Sequence, residues 1–180
     1  MARKVILYIS MSLDGYVATK DDDLSFLETV QTEGEDYGYA AFTSTVDTYI
    51  IGRKTYDVVT RLLDDKFPQA DQFDCYVITR QDIPNQKNIT FYNGDVEALL
   101  QTLKSQSGRN IYCDGGPQIV KLLLDKNLID ELILSIIPVL LGDGKKLFEN
   151  GIPYQHLHHQ ETKTFPSGLV QVSYTTQSNQ

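Results

Sequence analysis

Residues 110–124 read NIYCDGGPQIVKLLL, and no other stretch constrains the fold of this chain as strongly. The apolar run Ile111-Tyr112-Cys113 meets Asp114, then Gly115-Gly116, then Pro117, after which apolar residues recur at helical spacing. The pattern predicts a strand that passes through a tight turn into a helix. Two glycines permit positive φ angles and a backbone approach that a side chain would block. Pro117 suits the first helical position, where its missing N–H has no intrahelical partner to lose. The helix start then presents unpaired N–H groups and the positive end of the helix dipole, which suits a phosphate. A plain strand-to-helix turn without a ligand fits the same residues, and one Gly-Gly turn does not separate the two readings.

Two further strand ends carry polar chemistry. Thr48-Tyr49-Ile50-Ile51 reads as a strand that ends at Gly52-Arg53-Lys54-Thr55-Tyr56. Cations at a helix start oppose the helix dipole, and an anion bound there would remove the conflict. An exposed basic turn is the alternative. Cys75-Tyr76-Val77-Ile78 is followed by Thr79-Arg80, a hydroxyl and a cation at another strand end. In largely parallel sheets, ligands bind outside the carboxyl ends of the strands. The junctions at Gly52, Thr79 and Gly115 all belong there.

The remaining elements follow from periodicity and turn chemistry. Residues 3–11 form a buried strand that meets Ser12-Leu13-Asp14-Gly15 and continues after a bend through Tyr16-Val17-Ala18. Asp22 or Asp23 caps a helix through Leu24, Phe26 and Leu27, and residues 36–45 make a weaker helix. Residues 61–74 are loop-like, 88–92 form an edge-like strand, and Asp95 caps a helix with Val96, Leu99, Leu100 and Leu103 on one face. Residues 129–141 form a long apolar strand in which Pro138 requires a bulge or an edge position. Residues 161–165 and 169–175 alternate around Pro166-Ser167-Gly168 as a hairpin. His156, His158 and His159 fall in the polar connection before it, with no carboxylate or cysteine at metal-ligand spacing. Together these predict an α/β fold: a largely parallel sheet with an antiparallel C-terminal hairpin at one edge.

The 180 residues suit a single domain over 1–180, and 41% hydrophobic with 22% charged residues is ordinary globular usage, which argues against disorder. A net charge of −8 with no basic run argues against a nucleic-acid partner. Cys75 and Cys113 sit in apolar runs, so buried reduced thiols are expected, although the sequence leaves a disulfide between them open. The apolar run 5–9 is too short to span a membrane, and no cleavage site follows a long apolar segment, so a cytoplasmic protein is expected.

At these residues the chain resembles the dihydrofolate reductase superfamily, in the branch built on the C-terminal reductase domain of RibD from riboflavin biosynthesis. Ser12-Leu13-Asp14-Gly15-Tyr16-Val17-Ala18 resembles the opening of that branch, and Ile51-Gly52-Arg53-Lys54-Thr55-Tyr56 the GRxT signature shared with dihydrofolate reductases. Cys113-Asp114-Gly115-Gly116-Pro117 resembles the branch's acidic Gly-Gly-Pro turn. Leu128-Ile129-Asp130-Glu131-Leu132 and Pro138-Val139-Leu140-Leu141-Gly142 resemble the strand and turn that follow it.

The resemblance implies a dihydrofolate-reductase-like three-layer fold, with a mostly parallel central sheet and helices on both faces, and an NADPH-dependent reductase of the dihydrofolate or 5-amino-6-(5-phosphoribosylamino)uracil reductase type. Its substrate would be a small pteridine- or pyrimidine-like heteroaromatic compound. Gly52, Arg53, Lys54 and Thr55 would meet the cofactor phosphates, and Thr79 with Arg80 the adenosine 2′-phosphate. Gly115, Gly116, Pro117, Gln118 and Ile119 would cover the pyrophosphate, and Met11 and Ala18 would border the nicotinamide. Asp23, Phe26, Leu27 and Asp114 would face the substrate, with Phe26 where the branch often carries tryptophan. Hydride transfer to C=N or C=O gains from a nearby carboxyl, for which Asp14, Asp23 and Asp114 are the candidates. Each also suits a structural role, as turn residue, helix cap and strand-end acceptor respectively. The segment 57–73 lacks the pattern expected to hold a ribosyl phosphate, and no deaminase motif pair is present. A homodimer is expected, with the apolar segment 132–141 as a candidate interface, and a non-catalytic NADPH-binding or interaction module is the alternative function.

Overall fold

Alternation along the apolar runs sorts their side chains to opposite sides of one sheet. In the computed structural model, which describes residues 3–176, the chain begins with β1 (Val5–Ser12), β2 (Tyr16–Ala18), α1 (Tyr39–Thr43), β3 (Val46–Gly52) and α2 (Arg53–Leu62). It continues through β4 (Asp74–Ile78), β5 (Ile89–Tyr92), α3 (Val96–Ser105), β6 (Asn110–Gly115) and α4 (Pro117–Asp125). It ends with β7 (Glu131–Ile137), β8 (Lys145–Lys146), β9 (His158–Thr164) and β10 (Val170–Thr175). Eight strands form one sheet in the order β5-β4-β3-β6-β1-β7-β10-β9. Pairing is parallel from β5 across to β7, and antiparallel for β10 and β9 at the far edge.

Val5, Leu7, Ile111 and Cys113 face the side covered by α3 and α4, where Leu100, Val120 and Leu123 pack on them. Ile6, Tyr8, Tyr49 and Tyr112 face the other side, with Phe42 of α1 and Tyr56 and Val59 of α2. Burying each large apolar side chain contributes about 1.5–3 kcal/mol, so both helical layers are held by the sheet rather than by helix propensity. β3 hands on to β4 through α2, and β6 hands on to β7 through α4, in opposite directions along the sheet. The neighbouring carboxyl ends of β3 and β6 are therefore the switch point of the sheet.

Several boundaries depart from the sequence reading. The segment after Asp23 is a 3-10 turn, Ser25–Val30, rather than an α-helix. Within it the Thr29 hydroxyl donates to the Phe26 carbonyl at 2.7 Å, a local bond that competes with the helical ladder. The weak helix shortens to Tyr39–Thr43, with Asp36 accepting from the amides of Gly38 and Ala40, each at 2.9 Å. β7 stops at Ile137, so Pro138 ends the strand instead of bulging within it. β7 lies between β1 and β10, so both of its edges are paired within the sheet. β9 begins at His158 because a bulge opposite Ser173 and Tyr174 lets the hairpin take in two histidines. The pairing of β2 with β8 had no signal in the sequence. Cys75 and Cys113 are free, buried thiols on opposite faces of the sheet, which excludes the disulfide. Among the described residues no helix is long and apolar enough to cross a membrane.

Candidate active site

The two strand-to-helix junctions of the sequence meet at the switch point. Gly52 is the N-cap of α2 and Gly116 the N-cap of α4, and neither helix start receives a side-chain cap. Gly115 has φ +92° and Gly116 φ +42°, and Pro117 follows inside the first turn. A Cβ on Gly52 would stand 2.8 Å from Cγ1 of Ile119, and one on Gly116 would run into the Thr55 hydroxyl. Both glycines are thus needed for the approach of the two chain segments. The result is a pair of adjoining helix starts whose first N–H groups are left to an outside acceptor.

The cations gather at the same end. The α2 start carries no acidic residue, although the helix dipole alone would favour one. Arg53 donates from Nε to Asp57 Oδ1 at 2.6 Å, and its guanidinium carbon lies 5.7 Å from the centre of the Phe91 ring. Its Nη1 is buried without a hydrogen-bond partner. A buried donor left unmade costs about 1–3 kcal/mol, so an anion at this point would relieve a standing penalty. Lys54 and Arg80 are exposed, and neither forms an ion pair among the described residues. Thr79 is buried; its amide donates to the Tyr92 carbonyl at 2.9 Å and its hydroxyl accepts from the Gln81 amide at 3.0 Å. That turn directs the chain outward at Arg80. Met11 packs at the margin of the α3–α4 core, and Ala18 is buried beside Gly144. Ile119 is buried and Gln118 exposed at the start of α4.

The three candidate carboxylates have different surroundings. Asp114 points to the α1–α2 side of the sheet, where the Tyr112 hydroxyl donates to its Oδ1 at 2.7 Å and the Tyr49 hydroxyl donates to its Oδ2. Residues 112 and 114 share a face through the period of two, and strand pairing sets Tyr49 directly beside Tyr112. Burial raises the Asp114 carboxyl to about 6, and the two hydroxyls pull it back part of the way. Desolvation likewise holds both phenols well above their ordinary value. Tyr39 of α1 packs edge-on to Tyr8 at 5.9 Å, and Tyr8 stacks on Phe42 at 4.3 Å, so aromatic rings wall this acid.

Asp14 and Asp23 are taken up by turns. Asp14 accepts from the Ser12 hydroxyl at 2.6 Å and from the amides of Leu141 and Gly142 at 3.1 and 2.7 Å. These bonds, the Ser12 hydroxyl first, hold its carboxyl below the usual range. Asp23 accepts from the Ser25 hydroxyl at 2.6 Å and the Ser25 amide at 3.1 Å, and is lowered for that reason. Phe26 is buried with Val30, Ile137 and Leu169, and Leu27 packs against that satellite cluster, so neither ring nor isobutyl group joins the wall around Asp114. Sequence reasoning missed Tyr49 and Tyr112. The alternation Tyr112-Cys113-Asp114 carried half of that signal, and the strand register that brings in Tyr49 carried the rest.

The family model of the RibD C-terminal domain matches residues 3–171. The uncharacterized protein YwjB of Bacillus subtilis (strain 168) is 39% identical over 175 residues, which cover 97% of this chain and 98% of YwjB. A crystal structure from Shewanella sp. PV-4, provisionally named as a riboflavin biosynthesis protein, superposes with a TM-score of 0.86 at 27% identity. The match covers 99% of this chain and all of that one, 100%. Dihydrofolate reductase from Enterococcus faecalis, solved with NADP(H), has a TM-score of 0.67 at 13% identity over 99% of this chain and 100% of its own. That last likeness shows the dihydrofolate-reductase-like fold.

Proposed function

The chain belongs to the RibD C-terminal domain family, and from that premise we propose that it is an NADPH-dependent reductase of a small pteridine- or pyrimidine-like heteroaromatic substrate. The residues present fit the cofactor. The adjoining helix starts and the cradle at Gly116, which a Cβ would fill, suit a pyrophosphate. The buried, unpartnered Nη1 of Arg53 suits a phosphate oxygen, and this is the observation that carries the reading. In this proposal Arg53, Lys54 and Thr55 bind the phosphates, and Gly115, Gly116, Pro117, Gln118 and Ile119 cover the pyrophosphate. Thr79 and Arg80 select the 2′-phosphate, while Met11 and Ala18 border the nicotinamide. When bound, NADPH supplies a hydride to the substrate. Asp114 holds the proton that goes to the nitrogen or oxygen of the reduced double bond, and its carboxyl near 6 lets it take up that proton again close to neutral pH. The aromatic wall excludes water from the reacting atoms and orients a planar ring.

The test is a titration of NADPH against NADH, followed by tyrosine fluorescence. Saturable, NADPH-selective binding is expected, and no binding of either overturns the reading. A pterin, flavin and folate panel then separates reductase from binding module: oxidation of NADPH supports the enzyme, and tight binding without turnover supports the module.

A further inference from the structure

We infer that Tyr49 and Tyr112 are positioning residues for Asp114: their hydroxyls hold its carboxyl group in one orientation and govern its uptake of the proton handed to substrate. The inference rests on the reductase reading above and extends the site to two residues that lie outside its motifs.

Each carboxylate oxygen accepts one phenol, which leaves each oxygen a lone pair for a further donor. The rings that carry the hydroxyls are fixed. Tyr49 is fully buried, parallel to Phe73 at 5.9 Å and edge-on to Tyr112 at 4.9 Å. Tyr112 is edge-on to Phe42 at 4.9 Å. A carboxylate held by two rigid donors loses little further freedom when a substrate approaches it, the arrangement that proton transfer needs.

The surroundings assign the titration to this group. Tyr39 lies near Asp114 from α1, while the Tyr8 hydroxyl of β1 accepts from Gln171 at 3.2 Å and donates to the Tyr37 carbonyl at 3.3 Å, with Asp36 nearby. On α2, Arg53 is turned to Asp57, and Tyr56 packs on Phe67 and Phe91 in the same aromatic layer. Among the described residues no lysine, arginine or histidine forms an ion pair with Asp114. The two phenols are therefore what stabilises the ionised form in a partly buried site. In the step, the proton leaves the Asp114 carboxyl for the substrate heteroatom while the neighbouring carbon takes the hydride. The carboxylate left behind is received by both O–H donors and regains a proton from water. Both phenols keep their own protons throughout.

The experiment compares wild type with Tyr49→Phe, Tyr112→Phe and Asp114→Asn, first by carbon NMR of the aspartate carboxyls and then by the pH profile of NADPH oxidation. The carboxyl signal that is missing from Asp114→Asn identifies Asp114. Each phenylalanine keeps the ring and removes one donor, so the Asp114 titration is expected to move up by about one unit per hydroxyl, with the pH profile moving the same way. Two folded variants, judged by circular dichroism, with an unmoved carboxyl titration overturn the proposal. If one variant does not fold, the other decides. A wild-type protein that binds no NADPH overturns the reductase reading and the proton-transfer step with it, whereas the carboxyl titration still decides the clamp by itself.

Discussion

Gly116 and Thr55 face each other so closely that a Cβ on the glycine would strike the threonine hydroxyl. One residue starts α4 and the other lies in the first turn of α2, so the contact joins the two helix starts on which the proposed cofactor site depends. Gly116→Val should reduce NADPH and NADH affinity alike, by more than about tenfold, because the side chain meets Thr55 at a φ that favours glycine. Calorimetric titration of both cofactors checks this. Unchanged affinity in a folded variant would remove the pyrophosphate from this turn.

Arg80 is exposed at the end of β4 without an ion pair among the described residues. Charge-assisted hydrogen bonds contribute about 1.5–3 kcal/mol, so Arg80→Ala should weaken NADPH about ten- to a hundredfold. NADH, which lacks the 2′-phosphate, should be nearly unaffected. Equal losses for both cofactors would show that Arg80 does not read that group.

Asp114 should make stability depend on pH with a sign opposite to that of the turn carboxylates. Burial raises its folded carboxyl from the ordinary 3.8 to about 6, so between these values the folded chain holds more protons than the unfolded one. Stability from this group therefore falls as pH rises from about 4 to about 6, by up to about 3 kcal/mol. Asp114→Asn cannot ionise. Its stability relative to wild type should rise across that window, as urea unfolding at both ends will read, while NADPH oxidation is lost. The lowered carboxyls of Asp14, Asp23 and Asp36 act the other way, but they are common to both proteins and cancel in the difference.

Asp14 bridges distant parts of the chain through the amides of Leu141 and Gly142. Asp14→Ala should lower the melting temperature and open the 138–146 segment to proteolysis. Asp14→Asn, which keeps one acceptor, should fall between the two. A melting temperature equal to wild type would show that the bridge adds nothing to stability.

Cys75 and Cys113 are buried on opposite faces of the sheet, and burial pushes both thiols up to about 12. Neither should react with iodoacetamide in the folded protein, and both should react in denaturant, as intact mass will show. Alkylation under native conditions would mean that the strand ends open.

Some of this protein was legible one residue after another. The strand, turn and helix over residues 110–124 followed from local rules: Gly115 and Gly116 take positive φ, and Pro117 fills the first helical turn. The Asp95 cap, with its carboxylate accepting from the amides of Glu97 and Ala98, was as local. The parallel sheet with its antiparallel edge followed from the alternation of strands and helices. Arg3 shows the opposite case. It is buried, donating to the carbonyls of Arg109 and Leu103 and to Thr48, and nothing near it in the chain announces those partners.

The site divides in the same way. Turn chemistry, helix starts and the positions of cations are properties of a few consecutive residues, so the sequence by itself determined where the glycine turn, the helix starts and the cations lie. Which carboxylate is raised rather than lowered was decided only by the tertiary structure. Asp14, Asp23 and Asp114 are chemically alike, and their ionisation depends on surroundings set by strand register. Pairing β3 with β6 puts Tyr49 beside Tyr112 and both hydroxyls on Asp114, while the turn after β1 ties Asp14 to Leu141 and Gly142. Register and desolvation arise between segments far apart in the chain, and no local pattern encodes them.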